Sequence, residues 1–194
     1  AIAAELLLRG AEPDLLLGEG SAAPPDWLPH RWAASYDAYR RQVLETAAGA
    51  GGARSPLAAA ILSAAVADYR PSQVHPGKLA SGQPELLLRL EPTAKVLDRV
   101  RQVAPALPLV SFKLLQGVDD QTLLEEARRR LSHSQLVVAN HAEQAQVREQ
   151  TAWLVSAEGC ERHQGKRAIA TAIVDWLERH GLPSGEAPIP VRRG

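Results

Sequence analysis

The chain has 194 residues, of which 45% are hydrophobic, and its 22 basic and 22 acidic side chains leave no net charge. A balanced surface lacks the broad basic footprint of a nucleic-acid or anionic-membrane binder, so we expect neither partner. One cysteine, no apolar run of about eighteen residues and no charged-then-apolar leader favour a cytoplasmic protein.

The length suits one well-packed core, so the sequence predicts a single domain over residues 1–180. Residues 181–194 mix glycine and proline too densely for a packed element and are predicted to be a flexible tail. The chain contains no methionine, not even at position 1, and it opens directly in a helical pattern. We therefore expect its true beginning to lie upstream.

Helical spacing and apolar runs alternate along the predicted domain. Helical spacing covers residues 2–10, 36–48, 93–103, 119–131 and 166–180. Apolar runs of strand length cover residues 12–18, 58–71, 85–90, 107–113, 135–140 and 153–155. This alternation predicts an α/β fold, a doubly wound and mostly parallel sheet with helices on both faces.

Some side chains in these segments have predicted structural roles. Thr93 and either Asp119 or Asp120 stand where a helix N-cap is expected. Trp176 falls on the apolar stripe of the last helix and is predicted to be core, whereas Trp27 and Trp32 are predicted to pack in loops.

Two glycine groups resemble phosphate-binding loops only superficially. Residues 18–23 match the G-x-G-x-x-A form of a dinucleotide fingerprint and follow a predicted strand. Pro24 and Pro25 come next, and they favour an irregular loop over the helix N-terminus that a pyrophosphate needs. The second group, residues 49–52, follows a helix and has Arg54 where the third glycine belongs. Neither group is expected to bind a dinucleotide.

The run 58–71 is the stretch around which the domain is predicted to be built. Its small and branched apolar residues predict a strand covered on both faces, with Asp68 where the strand leaves the core. Ligands of open α/β sheets bind at the carboxyl ends of the strands, so Asp68 with Lys78, ten residues later in a loop rich in glycine and proline, suggests a nucleotide or phosphate site. The alternative is an aspartate that merely ends a strand.

Other chemistries have weaker support. The chain has no G-x-S-x-G nucleophile elbow, and Cys160 with His163 cannot by themselves complete a zinc site. A surface hairpin explains the polar turn around Cys160 better. His133 and His141 flank a predicted strand, and each is more typical of a surface or satisfied histidine than of a general base.

Four segments occur in a fixed order along the predicted domain: residues 64–71 (AAVADYRP), Lys78, residues 111–114 (SFKL) and residues 137–140 (VVAN). Together, over about residues 2–180, they resemble the phosphopantothenate–cysteine ligase family of coenzyme A biosynthesis. The resemblance implies a Rossmann-like homodimer that binds a nucleoside triphosphate, CTP or ATP, with Mg²⁺ and without flavin. It also implies activation of the 4′-phosphopantothenate carboxylate with loss of pyrophosphate, followed by attack of the amine of cysteine.

The resemblance assigns roles to individual residues. Asp68 and Lys78 match the nucleotide-site acid and the catalytic loop lysine that reaches the triphosphate, and Phe112 matches an aromatic residue beside the base. Lys113 and Asn140 are substrate-site candidates. The remaining nucleotide-site positions are Thr93, Ala94, Lys95 and Val96 at a helix start and Arg128 on the next helix. No residue is assigned as a direct metal ligand.

The chain also departs from the family pattern. Two lysines four apart in many bacterial members correspond here to Arg128 and Ser132, and Lys113 begins Lys-Leu-Leu-Gln, which is closer to the ATP-using branch. The first strand of the family, its glycine loop and an asparagine of the site would lie before residue 1. A non-catalytic or degenerate nucleotide-binding module acting with a partner is therefore the alternative. A flavin-binding decarboxylase, often fused to this ligase, would need a separate domain.

Overall fold

The computed structural model of the chain describes residues 1–49, 57–74, 76–78, 82, 85–144 and 150–180. Its α-helices are α1 (Ile2–Leu8), α2 (Tyr36–Ala47), α3 (Val96–Val103), α4 (Asp120–Arg130) and α5 (Lys166–His180). Its strands are β1 (Leu15–Gly18), β2 (His30–Ala33), β3 (Ala60–Leu62), β4 (Tyr69–Pro71), β5 (Leu90–Pro92), β6 (Leu109–Leu115), β7 (Leu136–His141), β8 (Thr151–Ser156) and β9 (Gly159–Gln164). No helix among these residues is long and apolar enough to span a membrane. The tail predicted at residues 181–194 lies outside the described residues.

The main sheet has five strands in the order β3-β6-β7-β8-β9. Strands β3, β6 and β7 run parallel, whereas β8 and β9 continue the sheet as an antiparallel hairpin. Their carboxyl ends therefore meet at one edge, where Leu115 of β6 lies opposite His141 of β7. The Rossmann-like α/β prediction is confirmed, and so is the surface hairpin that carries Cys160.

Helices cover both faces of this sheet because successive side chains of its buried strands point to opposite sides. Val110 and Val138 pack with α5 and with Ile2 of α1 on one face. On the other face, Leu109 packs with α2 and α3, and Val137 packs with Leu123 of α4. Trp176 is buried in the α5 layer, as its place on the apolar stripe predicted.

A separate pair of parallel strands, β1 and β2, shares the core layer of α2 and α3 through Leu16 and Ala33. Strand β1 confirms the prediction for residues 12–18, but β2 was not predicted, because Trp32 was assigned to a loop. The reason is that His30, Arg31 and Trp32 are exposed and only Ala33 is buried, so the segment carries no apolar alternation.

The predicted strand over residues 58–71 is wrong in its extent. Strand β3 covers only Ala60–Leu62 and ends the five-stranded sheet, while residues 63–65 are exposed and irregular. Both faces of β3 are nevertheless covered, as predicted. The small side chains that follow β3 bury too little apolar surface to hold a longer strand in the core.

The strand predicted over residues 85–90 is also displaced. Strand β5 begins at Leu90 and pairs antiparallel with β4, which is the extended Tyr-Arg-Pro segment after Asp68. Leu86, Leu87 and Leu88 form no strand and are 56%, 84% and 58% exposed. The apolar run therefore marks an exposed surface next to the β4–β5 hairpin and not a core strand.

Candidate nucleotide and substrate site

The candidate site starts where the chain leaves β3, between that strand and β4. Asp68 is exposed there, and two hydrogen bonds fix the backbone around it. The hydroxyl of Thr93 donates to the carbonyl of Ala67 at 2.6 Å, and the Thr93 amide donates to the carbonyl of Asp68 at 2.9 Å. Thr93 was predicted to cap α3, and this is wrong, because the N-cap residue is Lys95 and no side chain caps the helix.

The charged partner of Asp68 is Lys95, whose ammonium donates to the Asp68 carboxylate. This hydrogen bond and the charge of Lys95 hold the pKa of Asp68 below its usual value, with smaller contributions from the charges of Arg130 and Lys113. The Lys95 and Asp68 side chains are 56% and 65% exposed, so both remain accessible to a ligand. Asp68 is therefore paired with Lys95, and the charges of Arg130 and Lys113 act on the same carboxylate.

The helix start at residues 93–96 is held in place from both sides. Val96 is buried in the core against α2, and the hydroxyl of Tyr36 in α2 donates to the carbonyl of Ala94. Ala94 and Lys95 are exposed between these anchors. This segment is adjacent to Asp68 because β4 pairs with β5, with Tyr69 opposite Pro92.

Lys78 is exposed and makes no ion pair or hydrogen bond with any other described residue. The structure therefore brings Lys95 to Asp68, and it does not bring Lys78 there. Several residues around Lys78 lie outside the described part of the chain, including residues 79–81. The Lys95–Asp68 pair spans 27 positions of sequence, so no spacing rule could have identified it.

Phe112 and Lys113 point to opposite faces of β6, since they are neighbours in one strand. Phe112 packs with the α5 layer, whereas the ammonium of Lys113 lies 3.7 Å from the carboxylate of Glu126 in α4. Phe112, predicted to lie beside the base, and Lys113, a predicted substrate-site residue, therefore belong to different faces of the sheet. The charge of Lys113 also acts on the carboxylate of Asp68.

Arg128 is exposed in the last turn of α4 and is not the arginine that acts on Asp68. That arginine is Arg130, whose guanidinium donates to the carbonyl of Phe112 at 2.7 Å. Arg128 was assigned from the family pattern, and Arg130 was missed. The available signal was the run of three arginines at the end of the helix, where only one can point towards β6.

Asn140 lies at the predicted end of β7, but its amide is used within the fold. The side chain is 4% exposed, and its Nδ2 donates to the backbone carbonyl of Thr151 at 2.9 Å. This bond joins β7 to the start of β8. The geometry therefore gives Asn140 a structural role, which does not depend on contact with a substrate.

The charge of the site decides what it can hold. No group of three metal-binding side chains occurs within the described residues. The single carboxylate Asp68 is already paired with Lys95 and has two further cations near it, so a bare divalent cation does not fit this position. The same cations fit the phosphates of a nucleotide, and Mg²⁺ would fit there as part of a nucleotide complex.

A cavity of about 170 Å³ lies elsewhere, between α5 and the β8–β9 hairpin. Leu136 and Ser156, which line it, are paired at the amino end of β7. It is therefore at the sheet edge opposite to Asp68 and does not belong to the candidate site.

The family model described as the DNA/pantothenate metabolism flavoprotein C-terminal domain matches residues 1–180. The chain belongs to this family. The match confirms the resemblance carried by Asp68, Lys78 and the segments 111–114 and 137–140. It supports a place in coenzyme A biosynthesis and extends over the whole predicted domain.

Individual relatives agree with this membership. The bifunctional coenzyme A biosynthesis protein CoaBC of Thermococcus kodakarensis is 36% identical over 123 residues, which are 61% of this chain and 30% of that protein. The aligned part is thus less than a third of the length of that relative.

Two solved structures share the fold. The DNA/pantothenate metabolism flavoprotein of Streptococcus pneumoniae has a TM-score of 0.79 at 23% identity. The match covers 92% of this chain and 86% of the Streptococcus chain. The C-terminal domain of a CoaBC protein has a TM-score of 0.66 at 21% identity. That match covers 92% of this chain and 79% of the CoaBC domain chain. At this identity the likeness concerns the fold alone.

Proposed function

We propose that this chain is a ligase that joins 4′-phosphopantothenate to cysteine after activation by a nucleoside triphosphate. The observation that carries the proposal is the Lys95–Asp68 ion pair beyond the end of β3, with the charges of Arg130 and Lys113 acting on the same carboxylate. Carboxyl edges of parallel strands bind nucleotides in open α/β folds, and cations suit a triphosphate. Family membership over residues 1–180 supports the reaction class.

The reaction would proceed in two steps that balance in atoms and charge. In the first, a carboxylate oxygen of phosphopantothenate attacks the α-phosphorus of the nucleotide, and the bond to the β-phosphate breaks to release pyrophosphate. In the second, the amine nitrogen of cysteine attacks the acyl carbon, and the C–O bond to the nucleoside monophosphate breaks. Cations preorganised around the phosphates stabilise the charge that develops on the leaving pyrophosphate.

The lysines have separate roles in this proposal. Lys95 is fixed beside Asp68, so it contributes a preorganised charge to the nucleotide site. Lys78 is exposed and unpaired within the described residues, which suits a loop cation that reaches the phosphates only when a nucleotide is bound. Its position in the family pattern supports the same role.

The identity of the nucleotide belongs to the proposal as well. Arg128 and Ser132 replace a pair of lysines of many bacterial members, and Lys113-Leu114-Leu115-Gln116 is similar to the ATP-using branch. We infer that ATP is used at least as well as CTP. Mg²⁺ would accompany the nucleotide, because the described site offers no free carboxylate to bind it first.

A homodimer is part of the same proposal. Leu86, Leu87 and Leu88 are consecutive, and all three are more than half exposed. Tyr69 of the adjoining β4 is 60% exposed. A contiguous apolar surface of this kind is costly in water, and a second copy of the chain would cover it.

The deciding experiment measures pyrophosphate release by the full-length protein with Mg²⁺, phosphopantothenate, cysteine and either CTP or ATP. We expect release to require phosphopantothenate, because the acid is the group that becomes activated. Hydrolysis of the triphosphate to diphosphate and phosphate, independent of phosphopantothenate, would contradict the ligase assignment. The control omits only the acid.

One observation favours a second candidate, a nucleotide-binding module without activity. Residues 18–23 follow β1, but the next helix within the described residues begins only at Tyr36. The described part of the chain thus contains no glycine loop that leads directly into a helix N-terminus. A protein that binds CTP or ATP in calorimetry, but releases no pyrophosphate with all substrates present, would be this module.

A further inference from the structure

His141 stands at the end of β7 and contacts a carboxylate at the start of α4. Its Nε2 lies 2.6 Å from Oδ1 of Asp120. The His141 side chain is only 14% exposed, whereas the Asp120 side chain is 60% exposed. A carboxylate that accepts a hydrogen bond from one ring nitrogen fixes the orientation and the tautomer of the imidazole.

Among the described residues, the other ring nitrogen of His141, Nδ1, makes no hydrogen bond. By comparison, His180 uses both nitrogens, because Nδ1 binds the carbonyl of Trp176 and Nε2 binds Glu158. Within the described part of the chain, His141 thus combines one oriented nitrogen with one that can take up a proton.

His141 lies at the same edge of the sheet as the candidate site. Leu115 is its register partner in β6, so His141 lies on the face of the sheet that also carries Lys113. Strand spacing and rise place the Cα atoms of Lys113 and His141 about 8 Å apart. Helix α4 contacts both side chains, through Glu126 and Asp120, which confirms that they share one face.

Two other histidine–carboxylate contacts lie elsewhere on the sheet. His133 lies 3.1 Å from Asp98, and both side chains are 45% exposed before β7 begins, at the amino edge of the sheet. His163 lies 3.3 Å from Glu161 within the edge strand β9, and its register partner Ala152 packs on the α5 face of the sheet. Of these contacts, the one between His141 and Asp120 combines the carboxyl edge with the α4 face.

We propose that His141 is the general base of the second step, in which cysteine attacks the activated acid, and that Asp120 positions it. This inference rests on the proposed ligase function. As the amine nitrogen forms the new C–N bond, its proton passes to Nδ1 of His141, while the C–O electrons leave with the nucleoside monophosphate. The first step transfers no proton, so it needs no such base.

Other charged groups also lie around His141. Asp119 caps α4, and Glu143 lies in the short 3₁₀ helix after β7; the charge of His141 acts on both. Arg162 of β9 lines the same small cavity as Asp120 and His141. Any pH dependence of the second step therefore reflects this group as a whole.

The test separates the two steps in the full-length protein. The first step is followed by phosphopantothenate-dependent exchange of labelled pyrophosphate into the nucleotide, and the second by formation of the amide with cysteine. We expect His141→Gln to keep the exchange rate within about twofold and to lower amide formation roughly a hundredfold, the usual effect of losing a general base. His133→Gln is the matched control and should change neither rate.

Hydroxylamine provides an independent readout, because its amine is unprotonated at neutral pH and the proton that it loses as the C–N bond forms can pass to water. His141→Gln should therefore form the hydroxamate at the rate of the unsubstituted protein. Asp120→Asn should lower amide formation less than His141→Gln does and should shift its pH profile, which a purely structural contact would not do.

The outcomes distinguish the two proposals. An unsubstituted protein without phosphopantothenate-dependent exchange would overturn the ligase function itself. Normal exchange with undiminished amide formation in His141→Gln, or an equal loss of exchange and amide formation in Asp120→Asn, would overturn only the role of His141.

Discussion

The ammonium of Lys95 donates to the carboxylate of Asp68, although the two residues are 27 positions apart. The contact depends on the antiparallel pairing of β4 with β5 and on the hydrogen bond from Thr93 to the carbonyl of Ala67. It holds one cation of the candidate site beside Asp68. Lys78, by contrast, makes no ion pair within the described residues.

Lys95 should control the ionisation of Asp68. Lys95→Met removes the main hydrogen bond and the nearest charge, so we expect the pKa of Asp68 to rise towards its usual value, with Arg130 and Lys113 retaining part of the depression. Carbon-13 NMR of the aspartate carboxyls during an acid titration measures this. A pKa unchanged by the substitution would mean that the ion pair does not persist in solution.

The same pair has a defined effect on stability. Because the folded-state pKa of Asp68 is lowered, its contribution is present above the unfolded pKa of about 3.9 and is lost as the pH falls through the folded value. The control for Lys95→Met is Lys166→Met, which removes an exposed lysine of α5.

Replacing Lys78 separates a catalytic loop cation from a surface lysine. Lys78→Ala should change the free energy of unfolding by no more than about 0.5 kcal/mol, because the side chain is exposed. Turnover should nevertheless fall roughly a hundredfold, since the cation meets charge that develops as pyrophosphate departs. Lys78→Arg should recover only part of the loss, because guanidinium has a different shape and reach. Unchanged pyrophosphate release at saturating substrates would remove Lys78 from the site.

Asn140 should affect stability more than binding. Asn140→Ala leaves the carbonyl of Thr151 without its buried donor, so we expect a loss of about 1–3 kcal/mol in the free energy of unfolding. Urea denaturation measures this loss. Gln144→Ala removes a nearby amide that makes no hydrogen bond within the described residues, and it should cost less than about 0.5 kcal/mol. If Asn140→Ala weakened only the binding of substrate, the structural role would be wrong.

His180 should make stability depend on pH. Its contacts with Glu158 and the carbonyl of Trp176 raise the pKa of His180, and the same contact with Glu158 lowers the pKa of that carboxyl. The contribution of His180 is fully present below its unfolded pKa of about 6.5 and is lost as the pH rises through the folded value. That of Glu158 is lost as the pH falls through its lowered value.

Glu158→Gln should therefore lower the Tm more at pH 5.5 than at pH 9. Thermal denaturation at both values measures the difference between the variant and the unsubstituted protein. Glu45→Gln removes an exposed carboxylate of α2 that has no ion pair among the described residues, and it serves as the control. A Tm loss for Glu158→Gln that was equal at the two pH values would show that the pair with His180 is not formed.

The exposed leucines next to the β4–β5 hairpin should hold two copies together. Leu87→Asp introduces a charge at a side chain that is 84% exposed, so an isolated chain should tolerate it, whereas a buried dimer interface should not. Light scattering should therefore change from dimer to monomer. Leu8→Asp on α1, where Leu8 is 79% exposed, should leave the dimer intact. A concentration-independent monomer of the unsubstituted full-length protein would contradict the proposal.

The sequence by itself determined the α/β class and most of the helices. Strands β6 and β7 carry apolar runs because both of their faces are buried, and α5 carries a stripe because only one of its faces is. Such periodicities are local, and a single sequence displays them. The four segments that include Asp68, Lys78, Phe112 and Asn140 together indicated the family without any coordinates.

Tertiary structure decided the lengths of β3 and β5 and the arrangement of the site. An apolar segment such as residues 86–88 has the same pattern whether it is covered by core or faces solvent, so the sequence could not distinguish these states. The contacts of Asp68 with Lys95 and of His141 with Asp120 join residues 27 and 21 positions apart. Strand pairing and helix packing create these contacts, and no local spacing rule encodes them.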